Sequence, residues 1–163
     1  MPLEIEKKYL VLPQQLDQHI QLDQYPHKPM VQGYLASSDL AVIRIRVAQD
    51  RGRLTIKQRG AGIKRIEVER DLSLEEANEL LSLCGNKKVE KQRYFIVNGK
   101  YTIELDIFLG ENAGLMIAEV EFEDEEEANA FEPPEWFSTE VSGDLRYYNH
   151  YLSEHPYSSW KAT

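Results

Sequence analysis

Cysteine occurs once, at Cys84, so no intramolecular disulfide can staple this chain, and a reducing, cytoplasmic setting is the natural expectation. No apolar run approaches the ~20 residues that cross a bilayer as a helix, so no membrane partner is expected. The start, Met1-Pro2-Leu3-Glu4, lacks the basic residues and apolar stretch of a signal peptide. Histidine is also sparse. His19, His27, His150 and His155 share no ligand spacing with each other or with Cys84, which argues against zinc. Bases are the minority charge, 19 against 28 acids for a net charge of −9, leaving no broad basic footprint for nucleic acid. A small anion is still allowed, because the local field of a pocket can oppose the overall sign. Gly60-Ala61-Gly62 lacks the Gly-Lys-Ser/Thr ending of a Walker loop, and no serine elbow is present.

What is present is a 163-residue chain, 42% apolar, long enough for one domain over 1–163 with a proper core. Strand-like alternation occurs at 3–11, 31–36, 41–49, 53–59, 63–71, 88–97, 100–108 and 116–123. Asp50-Arg51-Gly52, Gly60-Ala61-Gly62 and Asn98-Gly99 read as turns, and such short connections imply antiparallel neighbours. Three helices are expected. Ser73 with Glu76 forms a capping box that opens a helix ended by Gly85. A second runs over 125–131, before Pro133-Pro134, and a third over 142–153. A weaker one starts at Pro13.

Charge within the strands is arranged in doublets. Glu4-Ile5-Glu6, Glu67-Val68-Glu69, Glu104-Leu105-Asp106 and Glu119-Val120-Glu121 carry acids at i and i+2, while Arg44-Ile45-Arg46, Lys57-Gln58-Arg59 and Lys91-Gln92-Arg93 carry bases at the same spacing. Residues i and i+2 of a strand share a face, so each doublet aims both charges one way. A lone Glu-x-Glu is ordinarily a solvated face. Four of them beside three basic doublets leave two arrangements, a flat sheet with that face in water or a sheet that closes on itself and gathers its charges in a wet bore, and like-charged doublets favour closure. The apolar residues between them (Ile43, Ile45, Val47, Leu54, Ile56, Ile66, Val68, Ile103, Leu105, Ile107, Val120 and Phe122) then face outward under the helices.

Carboxylate oxygens are hard ligands suited to Mg²⁺ or Mn²⁺. Arginine forks and lysine ammonium groups suit phosphoryl oxygens, and phosphoryl transfer depends chiefly on positioning and charge neutralisation. Lys8, Arg44, Arg46, Lys57, Lys91 and Arg93 are the candidate phosphate cations. Arg59 reads equally as a strand end or a turn residue. Arg146 and Asn149 share a helix face at spacing three and reach either the bore mouth or the surface. Tyr34 is a buried strand tyrosine or a hydroxyl in the bore. Glu123 to Glu127 reads as an acidic helix start, and Trp136 and Phe137 as packing residues.

Glu4-x-Glu6-x-Lys8 resembles the N-terminal hallmark of the CYTH superfamily, the triphosphate tunnel metalloenzymes. The ordered segments EIEKKYLV, QGYL, IRIR, TIKQRG, EVE, EKQRY, IELDIF, AEVEF, PPEWF and DLRYYN extend the resemblance over nearly the whole chain. It implies a mainly β fold, a closed eight-stranded antiparallel tunnel with a polar lumen and helices outside. It also implies a divalent-metal-dependent enzyme acting on a small anionic triphosphate, with Mg²⁺ or Mn²⁺ as cofactor. By the same resemblance Glu4, Glu6 and Glu121 are metal-side acids, with Glu67, Glu69, Asp106 and Glu119 as further lumen acids, which Glu104 joins through its doublet. Lys8, Arg44, Arg46, Lys57, Lys91, Arg93 and Arg146 form the phosphate set, with Arg59 beside them, and Lys8, Tyr34 and Glu6 are the catalytic candidates. Inorganic triphosphatase is the leading expectation. Class IV adenylate cyclase, thiamine triphosphatase and a non-enzymatic polyphosphate- or nucleotide-binding module are the alternatives, and a homodimer is an allowed assembly.

Overall fold

The structure, a computed structural model, describes residues 3–60 and 62–160. Met1-Pro2 of the signal-peptide reading and Ala61 of the Gly60-Ala61-Gly62 turn lie outside the described residues. Eight strands form a closed barrel: β1 Leu3–Leu10, β2 His27–Ser37, β3 Ala41–Ala48, β4 Arg51–Gln58, β5 Lys64–Leu72, β6 Lys88–Asn98, β7 Tyr101–Phe108 and β8 Met116–Glu121. They run in the order β1-β5-β4-β3-β2-β6-β7-β8, every pair antiparallel.

Closure between β1 and β5 is short, covering only Leu3–Ile5 against Lys64–Ile66. Beyond it, the free edge of β1 bonds to a segment from near the C-terminus. Val141 N donates to Lys8 O at 2.8 Å, and Leu10 exchanges bonds with Thr139 O and Ser138 N at 2.9 and 2.7 Å. Lys8 N donates to Ser142 Oγ at 3.0 Å. These bonds satisfy a strand edge that would otherwise lack partners.

The apolar residues of the strands face outward, as the doublet spacing requires. Helix α1 (Pro13–His19), helix α3 (Glu125–Ala130) and residues 131–137 cover β1, β6, β7 and β8, burying Tyr9, Leu16, Ile103, Leu105, Val120 and Phe137. Helix α2 (Leu74–Leu83) covers β2, β3 and β4 through Ala77, Leu81 and Cys84, and Ser73 and Glu76 form the expected capping box. Ile56 and Ile66 stay exposed, because these helices do not cover that part of the outer face.

Three expectations change. Gly52 is not a turn residue. It lies within β4, where a Cβ would fall 2.5 Å from Ala77 Cβ, so its role is close approach of α2. The second strand is longer than 31–36, and Pro29 sits where β2 has only β6 beside it. The helix expected over 142–153 is broken into a 3₁₀ turn, Leu145–Tyr147, and helix α4, Asn149–Glu154. Between them Tyr148 is extended, at φ −87° and ψ 142°, because its hydroxyl is tied to groups inside the barrel wall.

The bore changes character along its length. The inward positions that carry Lys8, Lys91, Asp106 and Glu119 continue, two residues on, as Leu10, Val89, Phe108 and Ile117. With Leu115 and Leu152 of α4 these fill one end with apolar side chains, leaving the charged part as a pocket open at the other.

Candidate active site

The charged part of the bore is a cavity of about 1000 Å³. Its walls differ in charge by strand. β3 and β4 present Arg44, Arg46, Arg53 and Lys57, whereas β5, β1, β8 and β7 present Glu67, Glu69, Glu4, Glu6, Glu119, Glu121 and Glu104, with Lys8, Arg65 and Arg70 as the cations among them. Cross-strand register places these groups. Arg44 stands between Tyr34 and Thr55, Lys57 faces Glu67, and Glu6 faces Glu121.

The cations fall into two kinds. Lys91 and Arg93 are committed to carboxylates. Lys91 Nζ donates to Asp106 Oδ2 at 2.7 Å and to Asn149 Oδ1 at 3.1 Å, and Arg93 holds both oxygens of Asp106 at 2.7 and 2.9 Å and Glu104 at 2.9 Å. Burial would lift the Asp106 carboxyl, but Arg93 and Lys91 overcome it and hold it low. Lys91 and Asp106 are completely buried beneath the cavity rather than lining it.

Arg44 and Arg46 are not committed in this way. Arg46 Nε and Nη2 donate to the neutral Gln32 Oε1 at 3.1 and 3.0 Å, and Gln32 Nε2 donates onward to the Tyr34 hydroxyl at 3.1 Å. Among the described residues Arg46 has no carboxylate partner. Burial, then the neighbouring Arg44 and Arg93, push it down to about 9, still cationic at neutral pH. Arg44 donates to Thr55 Oγ1 at 3.1 Å, lies 3.9 Å from Glu69, and keeps its Nε buried and unbonded. Half-buried positive charge short of counter-charge is costly and is relieved by an anion in the cavity.

The acidic wall has the opposite deficit. Lys57 Nζ sits among Glu4, Glu6 and Glu67 at 2.5, 3.4 and 3.9 Å. Glu67 Oε2 is buried without a hydrogen-bond partner, and Glu4 Oε1 meets Lys57 as an ion pair without hydrogen-bond geometry. Burial, then hydrogen bonds shared with Glu4 and Glu69, raise Glu67 to about 9. Burial and then Glu119 raise Glu6 to about 7. Glu4 is held down to about 2: burial would lift it, but Glu67 and Lys57 overcome that. Lys8 Nζ donates to Glu119 at 2.6 Å. Among the described residues no three carboxylates or imidazoles converge as a preformed cation cage. The Lys57 ammonium occupies the space between them. Carboxylates left short of positive charge nonetheless fit a hard divalent cation, which commonly takes only one or two of them plus water and phosphate.

Tyr34 lines the cavity with its ring edge on His150, 5.0 Å between centroids, and Arg59 reaches the mouth, where Nη1 donates to Ser38 O at 2.9 Å. Asn149 lines the cavity as well. Arg146 does not. It lies outside, more than half exposed, paired with Asp144 at 2.7 Å, because the break at Tyr148 separates it from the face that carries Asn149. Sequence reasoning missed Arg53, Arg65, Tyr148 and His150. Arg53 and Arg65 were legible by spacing, two residues ahead of Thr55 and Glu67 on the same strand faces. No local signal marks Tyr148 or His150.

The model for the CYTH domain matches residues 2–149. The chain belongs to the CYTH family. It is similar to the inorganic triphosphatase of Acetivibrio thermocellus, 44% identical over 131 residues that make up 80% of this chain and 83% of that protein. It is 38% identical over 130 residues to the inorganic triphosphatase of Nitrosomonas europaea, covering 77% and 83% of the two chains. The crystal structure of the inorganic triphosphatase NE1496 superposes with a TM-score of 0.66 at 33% identity, over 94% of this chain and 95% of that one. The closed eight-stranded antiparallel barrel is thus the CYTH tunnel fold.

Proposed function

We propose that this CYTH protein is a divalent-metal-dependent inorganic triphosphatase, hydrolysing tripolyphosphate to pyrophosphate and phosphate within its bore. The observation that carries the reading is Arg46, a half-buried guanidinium without a carboxylate partner among the described residues, beside Arg44, whose one carboxylate contact is Glu69 at 3.9 Å, both facing carboxylates short of positive charge across one cavity. A linear triphosphate supplies the missing anion on one wall and a metal the missing cation on the other. The naming of two relatives as inorganic triphosphatases supports the same substrate class.

In this reading Glu4, Glu6 and Glu121 hold the metal, with Glu67, Glu69, Glu104 and Glu119 as further acids of that wall. Bound there, Mg²⁺ or Mn²⁺ neutralises phosphoryl oxygens and activates water. The protein's part is to bind and orient. Arg44 and Arg46 take phosphoryl oxygens, with Gln32 and Thr55 holding their forks in place. Lys57, which stands among Glu4, Glu6 and Glu67, would serve as a further phosphate cation where the two walls meet. Lys8 stays cationic: burial opposes it, but Glu119 and Glu6 raise it to about 12. Asp106 is assigned to the base of the bore, where it fixes Lys91 and Arg93. Arg59 meets the free end of the anion at the mouth. Among the described residues no helix is long and apolar enough to cross a membrane, and the buried free thiol of Cys84 suits the reducing cytoplasm we assign.

Phosphate release from tripolyphosphate, ATP and thiamine triphosphate, each with Mg²⁺, Mn²⁺ or EDTA, tests the reading. Metal-dependent release from tripolyphosphate ahead of the other two is expected. Cyclic AMP formation from ATP, preferred release from thiamine triphosphate, or tight binding without turnover would replace it with the cyclase, the thiamine enzyme or the binding module.

A further inference from the structure

Where β5 stops pairing with β1, Tyr148 enters the barrel wall and meets two cations. Its hydroxyl donates to Ser142 O at 2.5 Å and accepts from Arg65 Nη2, which also donates to Gly62 O at 3.1 Å. The Arg65 guanidinium carbon lies 4.1 Å from the centre of the Tyr148 ring, and Lys8 Nζ lies 4.9 Å from the same centre. All three side chains line the cavity. Ser142, to which Tyr148 is tied, also binds the Lys8 backbone N–H. Among the described residues Arg65 bonds only neutral oxygens. It is buried and has no carboxylate partner, although Glu6, Glu4 and Glu119 all act on it.

An aromatic face attracts a desolvated cation without neutralising it. Lys8 has one such carboxylate already, Glu119 at 2.6 Å, whereas on Arg65 a carboxylate in place of the ring would cancel the charge and compete with phosphate. We propose that Tyr148 is a positioning residue that holds Lys8 and Arg65 toward the cavity, and that Arg65 is a further phosphate-binding cation of this bore. The ligand named rests on the triphosphatase reading; the positioning of the two cations does not.

Two measurements on the wild-type protein and on Tyr148→Phe, Tyr148→Leu and Arg65→Gln test this. The first follows acylation of Lys8 by a lysine-selective anhydride, quantified by peptide mass spectrometry with no substrate present. Tyr148→Leu raises Lys8 labelling at least about fivefold, while Tyr148→Phe, which keeps the ring, stays within about twofold of wild type. The second is steady-state hydrolysis of tripolyphosphate. KM rises about tenfold or more in Arg65→Gln and in Tyr148→Leu, and about threefold in Tyr148→Phe, with kcat held within about threefold in each. Unchanged labelling in Tyr148→Leu, or unchanged KM in Arg65→Gln, overturns the proposal. So does a kcat loss that tracks the melting temperature at constant KM, since that marks a structural tether. Should Tyr148→Leu fail to fold, Tyr148→Phe and Arg65→Gln decide it. A wild-type protein that releases no phosphate from tripolyphosphate removes the triphosphatase reading, and the labelling still decides the positioning.

Discussion

Asp106 accepts from Lys91 and Arg93 at 2.7 to 2.9 Å with no exposed surface. Removing one member of a buried ionic group leaves the others uncompensated, which typically costs about 3–5 kcal/mol. Asp106→Ala is therefore expected to lose about that much stability in urea unfolding at neutral pH. Arg46 differs, because its guanidinium bonds a neutral amide and keeps its charge available. Arg46→Ala removes a charge-assisted contact worth about 1.5–3 kcal/mol, so kcat/KM for tripolyphosphate falls about 10- to 100-fold while the fold persists. Proton linkage gives a third expectation. Glu67 and Glu6 are raised from 4.5 to about 9 and about 7 in the folded chain. The folded state then holds protons that the unfolded chain has released. Their contribution is complete below about pH 4.5 and is lost as pH rises through 7 and 9. The melting temperature of the metal-free protein should fall from pH 5.5 to pH 8, and Glu67→Gln should flatten that slope. An unchanged slope in the variant would mean Glu67 carries no excess proton.

At the scale of elements, glycine and register set the walls. A Cβ on Gly33 would fall 2.8 Å from Cys84 Cβ and Sγ, and one on Gly52 would fall 2.5 Å from Ala77 Cβ, so α2 rests on two bare patches of β2 and β4. Gly52→Ala is expected to cost about 1–3 kcal/mol through overpacking, read by urea unfolding. The strands were legible because apolar alternation marks eight segments and doublets at i and i+2 on seven of them fix which face is polar, which leaves closure as the economical solution. Arg44, Arg46 and Lys57 were legible for the same reason. Gly52 was misread because a turn glycine and a close-approach glycine look alike until the helix that covers it is placed. The break at Tyr148 and the placement of Arg146 were hidden for another reason. Apolar spacing over 142–153 suits a helix, whereas the bonds that interrupt it come from Arg65 on β5, distant in sequence, and from the carbonyl of Ser142, six residues earlier.

For the whole molecule, the fold keeps its apolar packing outside the barrel and at one end of the bore, and its ionic groups inside. Net charge is −9, yet a basic wall inside the bore survives because β3 and β4 hold it opposite the acids of β5, β1, β8 and β7. The most direct test is a crystal structure of the protein soaked with Mn²⁺ and tripolyphosphate, with anomalous data collected at the manganese edge. Manganese is expected beside Glu4, Glu6 and Glu121, with phosphate density against Arg44 and Arg46 in the same cavity. Phosphates bound on the outer surface, or manganese away from the glutamate wall, would contradict it.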